Sequence, residues 1–233
     1  VLIFLIACSG NETKSDRKDD GKKIVENKVY LSSWGDAART RIESWVKALS
    51  TSHPEFQKDP VLKGVIDGDM EILKKAGTSG LVKVINASHN DQTEEAFNQA
   101  VRNWMGTAKD KKFGKTYKEL IYQPMAELLE YLRANDFKTF IVSGGGVDFM
   151  RAFAEETYGI PPYQVVGSYS DAKYEVINGK PIVTKISGTP FVDDKAGKPV
   201  GIHRFIGKVP VFCAGNSDGD QAMLQYTSGS KYK

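Results

Sequence analysis

Three short stretches in the second half of the sequence carry residue types that can hold an anion and a hard cation. The first is Ser143-Gly144-Gly145-Gly146, which follows the apolar run Phe137 to Val142. It offers one hydroxyl and several unhindered backbone amides where a strand gives way to a helix, and such amides favour an oxyanion. The second is Asp193-Asp194-Lys195-Ala196-Gly197-Lys198-Pro199. Pro199 suits a first helical position, so Lys198 stands at a helix mouth, where an ammonium can neutralise a phosphate and the charge that develops during its transfer. The third is the loop Gly215-Asn216-Ser217-Asp218-Gly219-Asp220 between an apolar strand and an amphipathic helix. Hard oxygen donors at a strand end suit Mg²⁺. A calcium loop is excluded, because Gln221 and Thr227 stand where that loop needs Gly and Glu. Taken singly, each stretch also fits an ordinary turn.

The elements that must position these stretches follow from periodicity. Residues 37 to 50 space Ile42, Trp45, Val46 and Leu49 along one helical side, and residues 61 to 75 and 93 to 105 read as further helices. Phe97, Val101 and Trp104 form the expected buried stripe of the last of these. Residues 117 to 134 give the strongest helix pattern, stopped by Asn135-Asp136. Beyond it come a strand to Val142, a helix from Val147 to Tyr158, a short strand from Gln164 to Gly167 and a hairpin from Tyr174 to Ile186 turned at Asn178-Gly179. A helix from Pro199 to Ile206, the strand Val209 to Ala214 and a last helix close the chain. Strands alternating with helices predict a parallel sheet.

Composition narrows the function classes. Of 233 residues, 40% are hydrophobic and 26% charged, the balance of a globular protein, and the net charge is only +3. No dense basic stripe with interleaved aromatics argues for nucleic acid. Two cysteines far apart, Cys8 and Cys213, exclude a disulfide framework and a paired-cysteine zinc site. The three histidines, His53, His89 and His203, are never at metal-ligand spacing.

The opening Val-Leu-Ile-Phe-Leu-Ile-Ala-Cys is too short to span a bilayer. It fits the end of a signal-peptide core, and Leu5-Ile6-Ala7-Cys8 looks like a bacterial lipobox with Cys8 as the lipidated residue. Residues 9 to 27 are polar and charged with no apolar period and read as a tether. The expectation is a lipid-anchored protein on the periplasmic side of a bacterial envelope, read from a sequence that begins within its gene.

The order of the three stretches, each tied to a strand end, resembles the haloacid dehalogenase (HAD) superfamily near its phosphoserine-phosphatase-like branch. The resemblance is specific over residues 117 to 227 and loose before that. It implies a Rossmann-like parallel α/β sheet with a helical cap, divided as 28–52 for an N-terminal helix region, 53–116 for the cap and 117–233 for the core, the last expected to be truncated. It implies an Mg²⁺-dependent phosphomonoester hydrolase working through an aspartyl-phosphate on a small phosphorylated molecule. Ser143 then matches the family's phosphoryl-binding Ser/Thr, with Gly144 beside it, and Lys198 matches its lysine, with Lys195 as the fallback. Asn216 and Asp220 match its metal-binding pair, Asn216 without the usual charge. The family's Asp-x-Asp-x-Thr/Ser, whose first Asp is the nucleophile, has no match. The one upstream Asp-x-Asp is Asp67-Gly68-Asp69; it follows a short polar run and has Glu71 where Thr or Ser belongs. Its better reading is a capped helix start. The central first strand, in a sheet of order 5-4-1-2-3, is therefore expected to be lacking, with Lys28 to Ser32 as a candidate to fill the gap. An impaired enzyme is the expectation, and a non-catalytic phosphate- or metabolite-binding lipoprotein the alternative.

Overall fold

In the computed structural model the described residues are 2–4, 44–89, 92–186 and 191–229. Cys8, the tether 9–27 and the segment Lys28 to Ser32 lie outside them.

The described residues build helices over 44–134 and an α/β sheet from 2–4 and 139–229. A helical stretch over 44–49 leads to a 3-10 turn at Pro54–Lys58 and helix α1, Pro60–Asp67. Asp59 caps α1 by accepting from the amides of Val61 and Leu62, and Pro60 fills the first turn. Gly68, at φ 81°, ends it in the left-handed conformation that glycine adopts without penalty. The single helix expected over 61–75 is therefore two, and the second, α2, runs Met70–His89. Glycines inside 77–80 argue against a helix by propensity. Tertiary packing overrides that: a Cβ on Gly64 of α1 would lie 2.9 Å from Ile72 Cδ1 of α2, so the two helices approach too closely for a larger residue. Val46, Phe56, Leu62, Val65 and Val84 form a small core of their own here.

Helix α3, Glu94–Thr107, starts at Thr93, whose side chain accepts from Ala96 N. Its stripe Phe97, Val101 and Met105 packs into the main core rather than the small one. Trp104 is half-buried and stacks on Tyr117 at 5.2 Å. Helix α4 covers Gln123–Ala134 and not 117–134, because Pro124 lacks an amide proton and restricts the residue before it; Tyr117–Glu119 makes a 3-10 turn instead.

The sheet follows. Strand β2 spans Thr139–Gly146, α5 Val147–Arg151, α6 Ala154–Tyr158 and β3 Val165–Ser168. The antiparallel hairpin β4–β5, Ala172–Ile177 and Lys180–Lys185, turns on Asn178 and Gly179, both at positive φ. Helix α7 is Gly197–Phe205, β6 Phe212–Ala214 and α8 Gln221–Ser228.

The main sheet is parallel with order β3-β2-β1-β6, and β1 is Leu2–Phe4. These three residues hold the central place that was expected to lack a strand. They pair with Thr139 to Ile141 on one side and Phe212 to Ala214 on the other. A central parallel strand is covered on both faces and reads as a continuous apolar run, which Leu2-Ile3-Phe4 provides. Alternation along β2 and β3 divides the core. Ile141 and Val165 face α3, α4 and α5, while Phe140, Val142 and Val166 face Ile202 of α7 and Met223 of α8.

Candidate functional site

The carboxyl ends of β2, β3 and β6 bring the three sequence stretches together. Ser143 lies in β2, fully buried, and its Oγ accepts from Gly145 N at 3.1 Å. Lys198, in the first turn of α7, is 1% exposed. Its Nζ donates to Val142 O at 3.2 Å and lies 2.8 Å from Asp220 Oδ1. Asp220 is fully buried, and its Oδ2 accepts from Asn216 N, Ser217 N and Ser217 Oγ at 2.9–3.0 Å. One carboxylate therefore staples its own loop and fixes the lysine, while the lysine reaches the carbonyl next to Ser143. A Cβ on Gly215 would fall 2.5 Å from Asp220 Cβ, so glycine is what lets this loop fold over its acid.

Of the two candidate lysines, Lys198 is the buried one. Lys195 is exposed on the turn at φ 50°, its amide bound to Gly219 O. Helix α5, which follows the glycines, has only five residues. An anion at this strand end would therefore meet Ser143, the glycine loop and Lys198 rather than the dipole of a long helix. Asp148, in the first turn of α5, forms an ion pair with Lys185 of β5, which offsets the negative charge the acid would place beside the seat.

Two acids of the middle stretch enter the site without a signal of their own in the sequence. Asp194 is half-buried between two loops, its Cβ 3.5 Å from the point where a Cβ of Gly144 would be and its Oδ1 2.3 Å from that of Gly219. Asp193 is fully buried. Its amide donates to Ser168 Oγ at 2.9 Å, and Ser168 Oγ donates to Gly144 O at 2.8 Å, so β3 ties the acidic turn to the glycine loop. Burial pushes the Asp193 carboxyl up to about 7; Lys198 pulls it down, Asp194 raises it, and the Ser143 backbone lowers it slightly.

The expected metal pair divides. Both oxygens of Asp220 are engaged, whereas Asn216 is exposed and uncharged. Among the described residues no group of three or more His, Cys, Asp or Glu is placed to hold a metal ion. These residues alone do not fit a complete Mg²⁺ site. Asp67 lies at the C-terminal end of α1, half-exposed and paired with Lys63, and Asp69 Oδ1 accepts from Glu71 N at the start of α2. That is the capped helix start and not a strand end. Cys213 is a free thiol whose proton burial retains.

A family model for haloacid dehalogenase-like hydrolase matches residues 36–225. The chain belongs to the haloacid dehalogenase-like hydrolase family. No curated protein matches it. Among solved structures it is similar to a conserved protein of unknown function from Anaerococcus prevotii DSM 20548, at 17% identity and TM-score 0.42, covering 69% of this chain and 53% of that one. It therefore spans about half of that protein's length. A phosphoserine phosphohydrolase-like protein from Francisella tularensis subsp. tularensis SCHU S4 is similar at 18% identity and TM-score 0.40, covering 79% and 76%. This HAD-family chain is thus a hydrolase by family, with its buried lysine, hydroxyl and glycine loop inside the matched residues.

Proposed function

We propose that this chain holds the phosphoryl group of a small phosphomonoester at the end of β2, in the manner of a phosphatase of its family. The observation that carries the reading is the buried Lys198, held by Asp220 and aimed at the carbonyl before Ser143. A desolvated ammonium interacts with an anion far more strongly than one in water. With two of its donor directions taken, the third proton of Nζ is left for a phosphoryl oxygen. Ser143 supplies a hydroxyl and the glycine loop its amides.

The nucleophile decides between turnover and binding. The central strand β1 ends level with Ile141, two residues short of Ser143. The sequence after Phe4 is Leu-Ile-Ala-Cys-Ser-Gly-Asn, and the first acid is Glu12. That absence favours binding without hydrolysis in the chain as given. The family generally uses Mg²⁺; bound beside the phosphoryl group it would supply charge compensation, with Asn216 and Asp220 at the positions that match the family's metal-binding pair.

Calorimetry with inorganic phosphate, together with p-nitrophenyl phosphate and Mg²⁺, tests the reading. Phosphate should bind, and Ser143→Ala should weaken it about 10- to 100-fold, the effect of one hydrogen bond to a charged group. Hydrolysis should not exceed that of Ser143→Ala. Phosphate binding indifferent to Ser143→Ala ends the proposal, and turnover well above the variant replaces binding with catalysis. The envelope anchor belongs to the same proposal and competes for residues with the sheet: cleavage ahead of Cys8 removes Leu2–Phe4 from between β2 and β6. The intact mass of the isolated protein reads which of the two occurs.

A further inference from the structure

Lys198 is one buried cation facing two buried acids. Asp220 takes it directly at 2.8 Å. Asp193 lies near enough to feel its charge, and neither Asp193 oxygen meets hydrogen-bond geometry with a neighbour. The carboxylate is wedged: a Cβ on Gly201, one turn along α7 from Lys198, would fall 2.3 Å from Asp193 Oδ1 and 3.0 Å from Val166 Cγ1. So α7 carries a glycine where it passes over the acid, and a larger residue there would collide with the carboxylate. Its backbone is pinned through Ser168 to Gly144. A fully buried acid, pinned through its backbone and eased only by the charge of Lys198 and the backbone of Ser143, is costly for the fold, and here it lies beneath the proposed seat.

We propose that Asp193 is a positioning residue that sets the charge beneath the phosphoryl seat, so that the seat takes an anion well only while Asp193 carries a proton. The inference rests on the phosphoryl-binding reading. With Asp193 neutral, an incoming dianion meets the single charge of Lys198 set against Asp220, with Asp194 half-buried at the side. With Asp193 ionised, the floor carries one negative charge more and repels it.

Two charges among the described residues act on Asp193. Its own turn contributes Asp194, which opposes ionisation, and α7 contributes Lys198, which favours it. Strand β2 presents the backbone of Ser143, and β3 presents Val166 and the Ser168 hydroxyl, all uncharged. Burial is the largest of the influences and places the carboxyl at about 7. Binding of an anion above it raises the carboxyl further, and by linkage affinity then falls as pH rises through that value.

Sulfate is the probe, because it stays a dianion between pH 6 and 8 while phosphate does not. Calorimetry of sulfate on the full chain should show affinity falling about 10-fold from pH 6 to 8, near the limit of one proton lost per anion released. Asp193→Asn, which keeps the shape and removes the titration, should flatten the profile to within about 2-fold, with circular dichroism reporting that the variant folds. A flat wild-type profile overturns the proposal without need of the variant. A slope that persists in Asp193→Asn overturns it too, by giving the proton to another group. No sulfate binding at any pH, in wild type and Ser143→Ala alike, removes the phosphoryl reading and this inference together, whereas binding with a flat profile removes the inference only.

Discussion

The helical region over 44–89 and the strand-end region around β2 both carry paired aspartates, and they use them in opposite ways. Asp67 and Asp69 sit at the junction of two helices, in water, where one meets Lys63 and the other an amide of the next helix. Asp193 and Asp220 sit under three strand ends, without exposure, around one buried lysine. Glycine stands beside acids in both regions, Gly68 between Asp67 and Asp69 and Gly219 before Asp220, yet only the second pair is placed where charge is strong. The comparison teaches that an acidic motif acquires chemistry from what removes its water. A strand end does that; a helix junction exposed on one side does not.

The difference is sharpest in what removing a partner costs. Lys198→Met keeps most of the apolar stem and deletes the charge, leaving Asp220 and Asp193 buried together without a cation. Breaking a buried pair from one side costs about 3–5 kcal/mol. Chemical denaturation should show a loss of that size at pH 8, and phosphate binding should vanish with it. A loss under about 1 kcal/mol would mean that the pair is no better than a surface contact, and the contrast between the regions would fail.

Asp193 sharpens the contrast through pH. Its folded carboxyl titrates at about 7 against an ordinary 3.8. Between these values the folded protein retains a proton the unfolded chain has released. The contribution of Asp193 to stability is thus fully present below pH 4, declines as pH rises and is gone above 7. Asp193→Asn should therefore stabilise the protein at pH 8 by about 1–3 kcal/mol, the cost of a buried group left unsatisfied, and by much less at pH 4.5. Thermal melts of both proteins at the two pH values check it; an equal shift at both would assign the effect to shape.

How much of this could be read from residue order depends on which force set each feature. Ser143, Lys198 and Asp220 were legible because their residue types sit at strand ends, and strand ends announce themselves by apolar runs. The hairpin at Asn178-Gly179 was legible because few residues accept positive φ. The break at Gly68 and the start of α4 at Pro124 were written in the sequence but outweighed by apolar spacing that ran through them. Helix α2 was hidden, since Gly77 and Gly80 lower helix propensity and its packing against Gly64 of α1 is not visible in residue order. Asp193 could not be told from its neighbour Asp194 by order at all. What separates them is which one the turn pushes beneath α7, and that depends on Ser168 and Gly201, respectively 25 residues before it and 8 after it. Nor did the apolar start show that it would stand as a strand: Leu2–Phe4 suits a leader and a sheet centre equally, and only pairing distinguishes them.

The smallest effect tests the other side of the comparison. Asp67 pairs with Lys63 four residues back on α1, both side chains about half exposed at 51%. Such a pair gains little Coulomb energy in water, spends side-chain entropy to form and is screened by salt, leaving about 0.3–0.5 kcal/mol. Asp67 also lies at the C-terminal end of α1, where the helix dipole disfavours a negative charge and offsets part of that gain. Asp67→Asn should thus change stability by less than about 0.5 kcal/mol in either direction. It should leave phosphate affinity unchanged. Denaturation and calorimetry on the same sample measure both. A variant that folded normally but lost phosphate would move the chemistry into the helical region, because an exposed acid at a helix end has no structural route to the seat except by belonging to it.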